Sequence, residues 1–353
     1  MPRTSRRSAP GTHAFSTLVE VFQAHPDFLG FRVDTGELIA EVIELGGIVT
    51  KIEVPDRRGD FANVLLGCPT IADYLEAHPH FNCLVGRYAN RMTNARFELE
   101  GVAYQLDANL PPHHLHGGRA GFGLRRWTGT VLDDGVSLKL ESPDGDAGYP
   151  GNLAVEARYR FTGSNIGLEF HAATDAPTPV SLSSHHYYNL SGVAGTTIDD
   201  HEVSIDADAF LPVSTDLTQL GEIRSVSGTP FDLRRRVVLR DALRAADAQM
   251  RLADGGFDHT FVLKPGFHRA AAVRHRDSGR TLTVTTDQPG VQFYTANTLH
   301  TAGRHGRRYP QRGGFCLETQ QFPDAPNHAG YPNAIVRPER PFTARTVFSF
   351  GVS

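Results

Sequence analysis

The chain has 353 residues and a formal charge of −4, with a pI near 6.5. That balance excludes the basic surface of a nucleic-acid binder and the polybasic patch of a membrane-held protein. Thirty-five glycines, 22 prolines and only 21% charged residues suit a turn-rich β protein better than a helical bundle.

Length alone suggests about two domains, although large β-sandwiches run long as one. No linker, repeat or low-complexity segment divides the chain, so one domain is expected over residues 15–353, behind a disordered tail over 1–14. Arg6-Arg7 resembles the start of a twin-arginine signal, but no apolar segment follows. No apolar run approaches the length that crosses a bilayer. A cytoplasmic location is the expectation. Cys68, Cys83 and Cys316 are odd in number and include no C-x-x-C, so they read as buried thiols rather than a disulfide or thiolate zinc set.

In chain order, Thr50-Lys51-Ile52-Glu53-Val54 alternates like a half-buried strand. Residues 71–76 suit one or two helical turns. Gly86-Arg87-Tyr88-Ala89-Asn90-Arg91 breaks the apolar pattern. Arg96 to Leu99 and Val102 to Leu106 form a hairpin about Glu100-Gly101. His113-His114-Leu115-His116-Gly117-Gly118 is a second polar island, and its H-x-H raises the question of a metal. A cupin-like pattern wants a glutamate a few residues on, and Arg119 to Phe122 supply none. Hairpins follow about Asp134-Gly135 and Gly163-Ser164-Asn165. A third island, Ser181 to Leu190, holds His185 and His186. Residues 241–252 read as one short helix with Asp241 at its start. Asp258 and Thr260 share one strand face, with Phe257 and Phe261 on the other. Residues 281–285 and 347–350 are further strands. Gln292 and Tyr294 share a face, as do Cys316, Glu318 and Gln320, opposite Phe315, Leu317 and Thr319. A glutamate among such residues is costly unless paired or functional. The expected fold is all-β: a large antiparallel β-sandwich with few short helices.

Together the islands resemble the aldose 1-epimerase (galactose mutarotase) family. Gly86 to Met92 is similar to its G-R-x-A-N-R segment, and Leu115-His116-Gly117-Gly118 to its L-H-G-G. His185 before Tyr187-Tyr188-Asn189-Leu190 falls on N-H-x-Y-F-N-L, with Ser184 and His186 departing from the usual Asn and Thr. Phe257-Asp258-His259, Pro289 to Asn297, Leu317 to Gln320 and Pro323 to Asn327 follow in the family's order.

The resemblance implies a sandwich of galactose mutarotase type with a central sugar cleft. It implies Glu318 as general base on the C1 hydroxyl and His185 as general acid on the ring oxygen. Arg91, His116, Asp258 and Gln292 would bind hydroxyls, with Asn90 alongside. Asp258 is expected to favour a protonated imidazole, and the two proton-transfer groups to face each other across the ring. Activity would fall at low pH as Glu318 is protonated and at high pH as the imidazolium is lost. Mutarotation needs no redox step, and no dinucleotide fingerprint or P-loop occurs. No metal or organic cofactor is expected. The partner is a monosaccharide, not nucleic acid or membrane, and the protein a monomer or homodimer. Two other readings stand beside this one. A glycoside hydrolase or lyase would use Glu318 and Asp258 as paired carboxylates. A binding module would lack one of the two proton-transfer groups. Arg304, Arg307 and Arg308 keep a hexose 6-phosphate substrate in view.

Overall fold

The computed structural model describes residues 17–76 and 78–353, so the expected tail lies outside the described residues. Alternation along the chain becomes a nine-stranded antiparallel sheet. Its spatial order is Thr128–Leu132, Gly135–Ser142, Leu153–Thr162, Asn165–Thr174, Phe342–Val352, Arg280–Thr286, His268–His275, His201–Ile205 and Val237–Val238. Leu153, Val155, Ala157, Tyr159 and Phe161 turn inward, while the residues between them are exposed or half-buried.

A five-stranded meander, Leu18–His25 to Phe61–Asn63, precedes it in the chain. A second five-stranded sheet carries the site, in the order Arg224–Ser225, Ala209–Phe210, Asp258–Val262, Gly290–Tyr294 and Cys316–Gln320. Phe31 of the meander, Leu138 and Tyr159 of the large sheet, and Phe261, Phe293 and Leu317 of the site sheet join one buried cluster. This is a β-sandwich core built from facing apolar rows.

The turns follow the sequence with small shifts. Glu100 and Gly101 both have positive φ, at 54° and 78°, as a two-residue hairpin turn of the primed type requires. Leu132 pairs with Gly135, so that turn is Asp133-Asp134 and Gly135 opens the next strand. The expected turns near residue 71 are a 3-10 helix, Ala72–Leu75. The single helix expected over 241–252 is instead two, Leu239–Ala242 and Ala248–Leu252. The cause is Asp247, whose side chain accepts the backbone N–H groups of Gln249 and Met250. That contact caps a new helix and competes with continuation of the first.

Candidate active site

Three strands of the second sheet set the floor of the site. Thr260 pairs with Gln292, and Gln292 with Glu318. Asp258 pairs with Tyr294, and Tyr294 with Cys316. Because strand side chains alternate, these two polar rows share a face. The intervening row, His259, Phe293 and Leu317, is buried on the other side. Thr260 donates to Gln292 Oε1 at 2.5 Å, and Gln292 Nε2 donates to Asp258 Oδ1 at 2.6 Å. Gln292 therefore orients Asp258 and is itself oriented by Thr260.

Two loops close over this face. Arg91–Met92 pairs with His114–Leu115, which brings the Asn90-Arg91 and His116 segments side by side. Gly117 must be glycine here: its φ is +88° and a Cβ would collide with the Gly86 carbonyl. The Asn90 N–H donates to His116 Nδ1 at 3.1 Å, and the His116 N–H donates to the Asn90 carbonyl at 3.1 Å. Arg91 Nη1 lies 3.8 Å from Asp258 Oδ2.

His185 follows the short strand Ser183–Ser184. Asn82 donates its backbone N–H to the His185 carbonyl at 3.0 Å and accepts the Tyr187 N–H on Oδ1 at 2.9 Å. The ring of Tyr187 stacks on His185 at 4.9 Å, and Cys316 Sγ lies 3.4 Å from His185 Nδ1. His185 Nε2 then faces Glu318 Oε1 at 3.6 Å. Neighbouring His186 turns away, bonding Tyr188 Oη through Nδ1 at 2.9 Å and packing on Phe348.

These side chains line a cavity of about 240 Å³ that includes His80, Asn90, Arg91, His116, His185, Asp258 and Glu318. It lies below the roughly 300–1,000 Å³ of drug-sized sites and suits a single sugar ring. Gln292 supports its floor from beneath. Glu318 Oε2 and Arg91 Nε are buried without a hydrogen-bond partner among the described residues. Burial pushes the Glu318 carboxyl well above its ordinary range, with Asp258 adding to the rise and Arg91 opposing it. Burial takes the His185 imidazole down to about 3, with His80 adding to the fall. The expectation that Asp258 favours a protonated His185 is thus overturned. Asp258 sits on the sheet beside Glu318, and its charge acts on that carboxyl instead.

His116, His185 and Glu318 place donor atoms within 4.8 Å of one another, as do Asp200, His201 and His275 elsewhere. Two histidines and a carboxylate are a transition-metal donor set. The hydrogen-bond network assigns tautomers that argue against it. His116 Nδ1, His201 Nε2 and His275 Nδ1 each accept a backbone N–H, from Asn90, Leu190 and Ser278. With one nitrogen accepting, the ring proton sits on the other, which is then a donor and not a ligand. His116 therefore offers Nε2–H to the cavity.

Other residues of the islands are structural. Arg87 is buried and bonds the carbonyls of Ser142, Pro150 and Gly151. His114 bonds the Asp107 carbonyl and Tyr149 Oη. Arg304 lines a separate cavity with Asn189 and Tyr309, and Arg307 and Arg308 are exposed. Sequence reasoning missed Asn82 and His80, and set Tyr294 on the face of Gln292 without giving it a role. His80 stood in the dense His78-Pro79-His80 run, a signal that was legible.

A β-sandwich whose cleft sets a carboxyl against an imidazole, ringed by Asn, Arg, His and Asp side chains, suits acid–base chemistry on a polar ring such as a sugar. The sequence profile described as Aldose 1-epimerase matches residues 31–349. The chain is 42% identical to human galactose mutarotase over 339 residues, 95% of each chain. It is 33% identical to the aldose 1-epimerase of Escherichia coli K12, covering 89% of this chain and 92% of that one. Among solved structures, a galactose 1-epimerase from Lactobacillus acidophilus superposes with a TM-score of 0.83 at 25% identity, covering 96% of this chain and 99% of that one. The chain belongs to the aldose 1-epimerase family, and it is a carbohydrate epimerase, an isomerase.

Proposed function

We propose that the chain interconverts the α and β anomers of free aldoses such as galactose and glucose, with Glu318 and His185 moving the protons. The observation that carries this reading is the 3.6 Å approach of His185 Nε2 to Glu318 Oε1 inside the cavity. In a cyclic hemiacetal the C1 hydroxyl and the ring oxygen are bonded to the same carbon. The groups serving them must therefore stand side by side, not face each other across the ring as the sequence reading had it. A hydrolase would pair Glu318 with a second carboxylate, whereas the group in direct approach to Glu318 is the His185 imidazole.

Ring opening moves the C1 hydroxyl proton to the Glu318 carboxylate and a proton from the His185 imidazolium to the ring oxygen. The C1–O5 bond breaks and a C1 carbonyl forms. After rotation about C1–C2, closure reverses both transfers, and the enzyme returns to its starting state. The pair thus works with one proton between its two groups: an ion pair before opening, a neutral pair after it. Burial favours the neutral pair, because it raises Glu318 and lowers His185. The bound sugar must supply what the ion pair lacks, by hydrogen-bonding the charged groups while Arg91 supports the carboxylate. His116, Arg91, Asp258 and Asn90 hold the remaining hydroxyls. The action of this chain on a free sugar fits the cytoplasmic location expected from the sequence.

The test is the rate of α-to-β conversion, followed by polarimetry or NMR exchange with a panel of aldoses. No acceleration by the purified chain with any of them would refute the reading.

A further inference from the structure

His80 lines the cavity but takes no part in the proton transfers. Its ring centre lies 4.9 Å from that of His116 and 6.0 Å from that of His185. It stands outside the close trio of His116, His185 and Glu318. Its ring makes no hydrogen bond to the described residues. The loop nevertheless holds it firmly. The His80 N–H donates to the His78 carbonyl at 2.8 Å, and Phe81 packs edge-on against Tyr187 and Tyr309. His80 has a φ of 55°, and the cavity residues Asn90 and His116 are also left-handed, at 70° and 51°. Non-glycine residues in that region cluster where a site requires them.

The ring oxygen of a pyranose is bonded to C1 and to C5. With Glu318 serving the C1 hydroxyl and His185 the ring oxygen, the next substituent beyond His185 is the one on C5. Aldohexoses carry a hydroxymethyl group there; aldopentoses carry hydrogen. We propose that His80 hydrogen-bonds the hydroxymethyl group at C5, so that the site favours aldohexoses over aldopentoses. The inference rests on the acid–base assignment of Glu318 and His185. Burial holds the His80 imidazole down at about 4, so it is neutral near pH 7. One nitrogen can then donate and the other accept, which matches a hydroxyl and not a phosphate.

D-galactose and L-arabinose make the test, because their pyranose rings share the configuration at C2, C3 and C4 and differ only in the hydroxymethyl group on C5. The kcat/KM for anomerisation of each is measured for wild type, His80→Ala and His80→Gln, with folding checked by circular dichroism. His80→Ala is expected to lower the galactose value roughly tenfold, mainly through KM, as loss of one hydrogen bond to substrate would. The arabinose value is expected to stay near wild type, and His80→Gln to keep most of the galactose activity. If His80→Ala does not fold, His80→Phe keeps the ring volume and reads the same ratio. An equal fall with both sugars, or no change with either, overturns the proposal. Failure of the underlying assignment shows itself separately, as full activity in Glu318→Gln with both sugars.

Discussion

His185 turns its ring toward Glu318, whereas His186 packs behind it on Phe348. Glu318→Gln keeps the size of the side chain and removes its basicity, so turnover is expected to fall at least ~10²-fold. His185→Asn is expected to do the same. His186→Asn loses the bond to Tyr188 and is expected to cost about 1 kcal/mol of stability with little change in turnover. Anomerisation rates beside unfolding midpoints separate the two effects. The pH profile follows from the single shared proton. The pair gains a second proton as His185 titrates near 3, and loses its only one above the raised range of Glu318. The acid limb of kcat/KM is therefore expected well below 6.5, the unperturbed imidazole value, with apparent values that belong to the pair. An acid limb at the ordinary imidazole value would contradict the neutral-pair assignment. The tautomer of His116 leads to a third expectation: prolonged chelation leaves the rate unchanged. Loss of activity with recovery on adding zinc would show that the ring gives up its Nε2 proton to a metal.

The site sheet works as an element because its strands are in register. Thr260, Gln292 and Glu318 form one row, and a one-residue slip of Cys316–Gln320 would bury Glu318 in the core and aim Leu317 at the cavity. The buried row of His259, Phe293 and Leu317 holds that register. The two helices after Val237–Val238 lie apart from the cavity except near their end, where Ala253 and Asp254 line it. Asp247→Ala removes the cap of Ala248–Leu252 and is expected to cost about 1 kcal/mol. The measurement is denaturant unfolding together with KM. A change in KM would show that the helix also sets the position of the 253–254 wall.

Several imidazoles across the molecule are buried in the neutral form. His185, His186 and His259 are held down at about 3 and His80 at about 4. In the unfolded chain each titrates near 6.5. Between those limits the unfolded state binds more protons than the folded one, so stability rises with pH. The contribution is complete above about 6.5 and is lost as pH falls toward 3. Glu318, with its pKa raised, works in the opposite sense. The unfolding midpoint is expected to drop steeply between pH 7 and pH 4, and a flat midpoint over that window would show that the buried imidazoles titrate normally. His186→Asn, which removes one such group, is expected to make the dependence shallower.

Alternation by itself determined the long hairpins, the sandwich, and which face of its strand Glu318 occupies, because strand side chains have a period of two whatever they pack against. The motif blocks determined the family and the set of residues to look for, including Asn90, Arg91, His116, Asp258 and Gln292. Tertiary structure alone decided the rest. Alternation required that only one of His185 and His186 face the cleft, and the motif block pointed to His185; what holds each ring in place, the Asn82 clamp on one side and the bond of His186 to Tyr188 on the other, is seen only in the fold. Arg87 and Arg91 are alike as residues and become a structural brace and a cavity wall. The His78-Pro79-His80 run was legible, but that His80 reaches the cavity depends on the segments of His116 and His185 folding beside it. The direction of the His185 and Glu318 titrations was also undetermined by sequence. It is set by desolvation, and burial is a property of the closed cavity, not of any one strand.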